Sequence, residues 1–204
     1  MTSLTARLAA GAASVLAAAA LAACGSAGTG PAAPSTPNTA PPAATAAYNA
    51  TDVAFSSGII RLEGQARALG GLVAAHTSNS QLRDYAARLG DDTSDTQHMN
   101  GMLQRWHHAL PSPSQPGTTM GPGMMSGDDW ASMQHRYGHE FNDHWLDAMM
   151  ANRTAELALC RDELQAGASA QAKQMARAML TDRQAQIAQF QRWHHAMDHT
   201  SEDG

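Results

Sequence analysis

One heptapeptide occurs twice in this chain, and the repeat constrains the fold more than any other feature. Residues 104–110 read QRWHHAL, and residues 191–197 read QRWHHAM. Upstream of each copy, residues 80–86 (SQLRDYA) correspond to residues 170–176 (AQAKQMA) at nearly the same spacing. The number of residues between the two upstream segments differs slightly from the number between the two heptapeptides. Within a helix, such a small difference keeps the side chains near the same face. The sequence therefore predicts two copies of one helix–turn–helix unit.

The first copy is expected to form a helical hairpin. Helices are predicted from about residue 51 to 76 and from about residue 81 to 108, and Pro111 prevents the second helix from continuing. In the turn between them, Ser78 and Gln81 have the spacing of a capping box.

The second copy predicts another hairpin, with helices over about 128–165 and 170–195. Gly167 is expected to end the first of these helices, and Ser169 to cap the second. Apolar residues recur every three or four positions along the first helix, which indicates a buried face. These residues are Trp130, Met133, Tyr137, Phe141, Trp145 and Met149.

Two hairpins with short turns pack most simply as an all-α four-helix bundle in the up-down-up-down order. The predicted four-helix domain spans residues 51–199. It consists of hairpins 51–110 and 128–199, joined by a loop over 111–127 that is rich in Met, Pro and Gly. In that order of helices, Trp106 and Trp193 lie at the same end of the bundle.

The N-terminus has the pattern of a bacterial lipoprotein signal peptide. The single charge of Arg7 precedes an uncharged, Ala- and Leu-rich stretch, which has the length of a signal-peptide core and is too short for a membrane span. The sequence LAAC at 21–24 resembles the lipobox, where cleavage occurs before a lipidated cysteine. We therefore expect residues 1–23 to be removed. Acyl chains on Cys24, palmitate among them, would then anchor the protein to the outer face of the cell membrane. An ordinary signal peptide with a chance cysteine is the alternative.

Composition limits the remaining possibilities. Residues 24–50 are almost entirely Gly, Ala, Ser, Thr and Pro after the cysteine, which predicts a disordered tether. Without residues 1–23, the formal net charge is one unit more negative than the −5 of the whole chain, which argues against nucleic acid as a partner. With Cys24 lipidated, Cys160 has no intramolecular partner, so we expect no disulfide and a buried thiol.

Four stretches of the second copy carry a family resemblance: residues 123–126 (GMMS), 141–150 (FNDHWLDAMM), 172–176 (AKQMA) and 184–193 (QAQIAQFQRW). They resemble a family of secreted bacterial proteins called domain of unknown function 305, which includes CopM-like copper-binding proteins. The resemblance covers about residues 120–195, and residues 55–110 resemble the family more weakly. It implies a ferritin-like four-helix bundle and, for some members, copper or silver binding outside the cytoplasm.

The chain departs from that family at the positions thought to bind metal. The family motif continues into a His-His pair, where this chain has Asn152 and Arg153. Two family methionines correspond to Leu159 and Phe190. The resemblance therefore implies the fold but supplies no metal ligands.

Ten His and twelve Met residues favour metal chemistry in another arrangement. Imidazole suits copper and zinc, and thioether suits Cu(I). In the up-down-up-down order, both Trp-His-His ends and the methionine-rich loop meet at one end of the bundle, with two further histidines along the third helix. Copper is the one cofactor expected, and its candidate ligands are His107, His108, His194, His195, His199, Met120, Met124, Met125, Met197, His135 and His139.

The histidines also have interpretations without metal. His135 and His139 share a stripe with Asp143 and Asp147 that lies opposite the apolar face, which is typical of a solvated surface. The two His-His pairs also suit helix C-termini, where the helix dipole favours positive charge.

Enzymatic activity is not expected. Ferritin-like di-iron sites use Glu-x-x-His pairs on facing helices, and the nearest match, Asp95 to His98, occurs once. We therefore interpret the chain as a cell-envelope lipoprotein that binds or sequesters copper outside the cytoplasm. The alternative is a non-catalytic envelope protein that acts by binding an unidentified protein without metal. A metal-dependent rise in melting temperature would separate the two.

Overall fold

The computed structural model describes residues 47–112, 117 and 121–202, with side chains described as far as Met197. The predicted all-α fold is confirmed. Six helices follow one another along the described chain: α1 (Ala50–His76), α2 (Ser80–Asp91), α3 (Ser94–Arg105), α4 (Gly127–Met133), α5 (Gly138–Ala166) and α6 (Ala170–Glu202). No helix among these described residues is long and apolar enough to cross a membrane.

The predicted second helix is interrupted in the middle. Asp92 is the C-cap of α2. Its Oδ1 accepts hydrogen bonds from the backbone N–H and the hydroxyl of Ser94, at 3.0 and 2.6 Å. Asp, Thr and Ser side chains compete with helical hydrogen bonds in this way, so the Asp92-Thr93-Ser94 run breaks the helix. The cap of α2 also differs from the prediction, since Asn79 and not Ser78 accepts the hydrogen bond from Leu82 N, at 3.1 Å.

The predicted third helix is interrupted as well, between α4 and α5. Tyr137 is extended and Gly138 has a φ of +57°, which costs glycine little. His76, at the end of α1, stacks on Tyr137 and Phe141 and lies 2.7 Å from the carbonyl oxygen of Arg136. The helix break is therefore fixed by a tertiary contact. At the other end of α5, Gly167 and Ser169 act as predicted, and Ser169 Oγ accepts from Ala172 N at 3.2 Å.

The order of the helices is up-down-down-up, and the predicted up-down-up-down order is wrong. The start of α1 contacts the end of α5, where Asn49 Nδ2 donates to the carbonyl oxygen of Ala166 at 2.7 Å. The end of α1 contacts the start of α5 through His76 and Arg136. The connection before α4 must therefore run along the bundle, and its residues Gly123 and Met125 bind α1 near the middle of that helix. One long crossover of this kind is found in ferritin-like folds.

Trp106 and Trp193 consequently lie at opposite ends of the bundle. Tyr48, just before α1, stacks on Trp106 at 5.0 Å between ring centroids. Trp193 instead packs against Tyr85 and Phe190. These residues belong to the same apolar cluster as Leu69, in the second half of α1. We call the two ends the Trp106 end and the Trp193 end.

Charged residues divide the core into two apolar clusters. Along α1, Phe55 and Ile59 belong to the cluster at the Trp106 end, and Leu69 and Val73 to the cluster at the Trp193 end. Cys160 lies in the first cluster and is fully buried, as expected. Between the clusters lies a set of buried or half-buried charged side chains, here called the polar layer: Glu63, Asp95, Arg153, Glu156 and Arg183.

Candidate functional site

The histidines expected to share one copper site lie at two different ends of the bundle, because the helix order separates them. His107 and His108 lie at the Trp106 end, where both are exposed and the His108 ring contacts Tyr48. His107 has a φ of +57°, a backbone conformation that is uncommon for a residue other than glycine. These two residues are therefore remote from the second Trp-His-His segment.

Two of the other predicted histidines, His139 and His194, lie at the Trp193 end, each beside a carboxylate. His139 Nδ1 lies 2.8 Å from Asp143 Oδ2, and its Nε2 lies 3.2 Å from the carbonyl oxygen of Met197. His194 Nε2 lies 3.8 Å from Asp147 Oδ1. His139 is exposed, which fits the solvated stripe.

The remaining predicted ligands that the structure describes differ in their exposure. His135 and His195 are exposed, whereas Met197 is buried with its Sδ 3.5 Å from Asn79 Nδ2. Met120 and the side chain of His199 lie outside the described residues, as does Cys24. Within the described part of the chain, no group of three or more His, Cys, Asp or Glu side chains could hold a metal ion.

The structure instead brings Met124 and Met125 to a cavity of about 340 Å³ on α5. Met133 of α4 and His144 of α5 line the same cavity. We call these four residues and the space between them the methionine pocket. Met124 and Met125 are among the predicted ligands. Met133 is buried in the apolar stripe, as predicted, and also lines the cavity, whereas His144 is not among the predicted ligands. The local pattern gave no sign of this arrangement, because only the crossover brings the segments together.

His144 presents one ring nitrogen for binding. Its Nδ1 lies 2.9 Å from the carbonyl oxygen of Glu140, and only a protonated Nδ1 can donate to a carbonyl. In the neutral ring, Nε2 is then the nitrogen with a free lone pair, and it can act as a metal ligand. His144 is exposed, and Met124 and Met125 are half-buried. The pocket therefore combines soft thioether sulfur with an accessible imidazole.

The polar layer is a second constellation that the sequence analysis missed. Arg153 Nη1 donates to Glu63 at 3.1 Å and to Glu156 at 2.7 Å, and Arg183 Nη2 donates to Glu63 at 2.6 Å and to Asp95 at 2.8 Å. Burial alone would lower the pKa of Arg153, but the adjacent Glu156 and Glu63 raise it. Both guanidinium groups therefore stay charged.

A signal for this layer exists in the sequence. Glu63 follows Ile59 by four positions, and Arg153 follows Met149 by four, so both charges continue an apolar stripe. Arg183 stands in the same relation to Met179. Charged residues on the buried face of several helices indicate a paired network.

A pair of carboxyl groups, Asp52 and Glu163, lies at the turn between α5 and α6. Glu163 is fully buried, and its carboxyl group faces that of Asp52. Burial, followed by the neighbouring Asp52, raises the pKa of Glu163 to about 8. Burial would also raise the pKa of Asp52, but hydrogen bonds from the backbone N–H groups of Ser169, Ala168 and Asn49 lower it. At neutral pH the pair is one neutral acid beside one carboxylate.

The sequence over residues 52–194 matches the family model of the domain of unknown function DUF305. The chain belongs to the DUF305 family. This confirms the resemblance on which the fold expectation depended. No curated protein matches this DUF305 chain in sequence.

Solved DUF305 structures share the fold. A DUF305 protein from Streptomyces coelicolor, described as secreted, has a TM-score of 0.60 and 19% identity, and the match covers 69% of this chain and 89% of that one. A DUF305 fragment from Deinococcus radiodurans has a TM-score of 0.63 and 18% identity over 72% of this chain and 97% of that one. CopM in its Cu(II)-bound form has a TM-score of 0.59 and 14% identity over 71% and 96%.

Proposed function

We propose that this DUF305 protein binds copper outside the cytoplasm, as Cu(I), in the methionine pocket. The observation that carries the proposal is the convergence of three methionines and His144 on one cavity. Thioether and imidazole are ligands that Cu(I) accepts, whereas Zn²⁺ and Mg²⁺ prefer nitrogen, thiolate or oxygen donors. CopM, which shares the fold, is known in a Cu(II)-bound form.

The proposal includes the cellular setting. Lipidation of Cys24 would hold the protein on the outer face of the cell membrane, and the tether over residues 24–50 would let the bundle reach away from the lipid surface. The role is sequestration or buffering of copper, with no catalytic step and no nucleic-acid partner. The alternative function, binding of another envelope protein without metal, becomes the leading hypothesis if copper does not bind.

A competition titration with a Cu(I)-specific chelator tests the proposal. We expect the full-length protein, purified in detergent, to compete at micromolar chelator. The double variant Met124→Leu/Met125→Leu should bind at least about tenfold more weakly, or about 1.4 kcal/mol, because leucine keeps the volume and removes the sulfur. Met175→Leu is the matched control, since Met175 packs at the Trp106 end. Failure of the wild-type protein to compete would refute the copper function.

A further inference from the structure

One side chain of α1 holds both peptide groups that flank Met124. Gln65 Nε2 donates to the carbonyl oxygen of Gly123 at 2.8 Å, and Gln65 Oε1 accepts from the backbone N–H of Met125 at 2.6 Å. Gln65 is 3% exposed. A primary amide offers a donor and an acceptor side by side, so it can satisfy a carbonyl and an N–H together. The two bonds fix the backbone from which the Met124 and Met125 side chains extend.

The opposite face of the same loop is fixed by α5. Gly123 has a φ of +72°, and a Cβ added there would lie 2.4 Å from Ala155 Cβ and 2.9 Å from the carbonyl oxygen of Ala151. Glycine is therefore required, both for the backbone conformation and for the close approach. The loop is held between a hydrogen-bonding side chain on α1 and a flat, alanine-lined surface on α5.

We propose that Gln65 is a positioning residue, which sets the metal affinity of the methionine pocket by holding Met124 and Met125 over it. Gln65 itself lines the cavity, but an amide is a poor ligand for Cu(I), so it acts through the loop. The proposal rests on the copper-binding function. Residues that orient metal ligands commonly change metal affinity by about 10–100-fold when they are replaced.

The experiment combines two measurements on the full-length protein in detergent. Hydrogen exchange of the Met125 amide in the metal-free protein reports the loop, and competition for Cu(I) with a chelator reports the affinity. In Gln65→Ala, we expect faster exchange at Met125 and at least about tenfold weaker binding. Gln65→Glu keeps the acceptor for Met125 N–H but turns a second oxygen toward the carbonyl oxygen of Gly123, so exchange should again be faster and binding weaker than in wild type. Gln174→Ala, on an exposed part of α6, is the control.

A second variant displaces the loop without touching Gln65. Gly123→Ala should weaken Cu(I) binding to a similar degree, because the added Cβ meets Ala155. In both variants, NMR of methionines labelled at the ε-methyl carbon should show altered Cu(I)-induced shifts for Met124 and Met125, a readout that a merely less stable fold would leave unchanged.

The outcomes separate this inference from the copper function. If wild type binds Cu(I) but Gln65→Ala leaves the Met125 exchange rate or the affinity unchanged, the inference is overturned and the copper function stands. If wild type does not bind Cu(I), the copper function falls and takes the positioning role with it. Faster Met125 exchange together with weaker Cu(I) binding in both Gln65→Ala and Gln65→Glu supports both.

Discussion

Arg183 on α6 donates from Nη2 to Glu63 Oε1 on α1 at 2.6 Å, in the middle of the bundle. The same guanidinium contacts Glu156 on α5 and Asp95 on α3. One side chain thus connects α6 to α1, α3 and α5 at the level of the polar layer. A shifted register of any helix would leave a buried charge without a partner, so the layer selects one alignment of the helices.

The first prediction concerns the stability of this layer. Replacing Arg183 by Met should lower the free energy of unfolding by about 3–5 kcal/mol, because it leaves the carboxylates of Glu63 and Glu156 buried without that cation. Urea unfolding followed by circular dichroism measures the change. Arg177→Met, on an exposed position of the same helix, should change stability by less than about 0.5 kcal/mol. If Arg183→Met lowered the free energy of unfolding by no more than this control, the Arg183 contacts would contribute nothing to stability.

The sequence was sufficient for the two hairpins but not for the breaks within their helices or for the order of the helices. The repeat and Ser169 identified both hairpins correctly, because these signals are local. The relative direction of the hairpins depends on the connection over residues 106–126, which could extend to about 70 Å. Helix α1, with 27 residues, is about 40 Å long at the usual rise per residue. The connection can therefore reach either end of the bundle, and its length does not decide between the two orders.

The second prediction concerns pH. Glu163 has a folded-state pKa raised to about 8, against a usual value of 4.5. The folded state therefore holds a proton that the unfolded state releases between those values, and stability should fall as pH rises from about 4.5 to 8. Glu163→Gln removes that dependence and keeps a donor toward Asp52. Relative to wild type, its free energy of unfolding should rise across this window, reaching at least about 1 kcal/mol by pH 8.

Thermal and urea unfolding from pH 5 to 9 measure that difference. Asp162→Asn, an exposed position on the same helix, is the control and should show no such trend. A difference between Glu163→Gln and wild type that stays constant with pH would contradict the buried, protonated state of Glu163.

The third prediction concerns the anchor. Cys24 is the only cysteine in a lipobox-like sequence, and two or three acyl chains bind a bilayer stably. Cys24→Ser should therefore move the protein from the membrane fraction to the soluble fraction or leave its signal peptide uncleaved. Cys160→Ser, at the buried cysteine, should leave membrane attachment unchanged. Labelling with an alkyne-tagged palmitate is the measurement, and unchanged labelling of Cys24→Ser would place the lipid elsewhere.

The methionine pocket could not be predicted from sequence patterns, and the reason is physical. Met124 and Met125 lie in the crossover, and Met133 lies in α4, while His144 follows a helix break. Their convergence depends on the direction in which the crossover runs and on the turn before Gly138. The direction of the crossover and the position of this turn depend on how the helices pack. The periodicity of apolar residues within a helix does not indicate which other segment packs against that helix.

The last prediction tests the two sets of candidate ligands against each other. The predicted site would bind copper through both His-His pairs, but the bundle places His107 and His108 at one end and His194 and His195 at the other. No single ion can be shared across that distance. We therefore expect the quadruple variant with Ala at these four positions to bind Cu(I) within about threefold of wild type, or about 0.7 kcal/mol.

His144→Ala, a single change in the methionine pocket, should weaken Cu(I) binding at least about tenfold, because it removes the one imidazole that lines the cavity. Circular dichroism of both variants controls for folding. If the quadruple variant loses affinity while His144→Ala retains it, copper binds at the helix ends and the pocket is not the site.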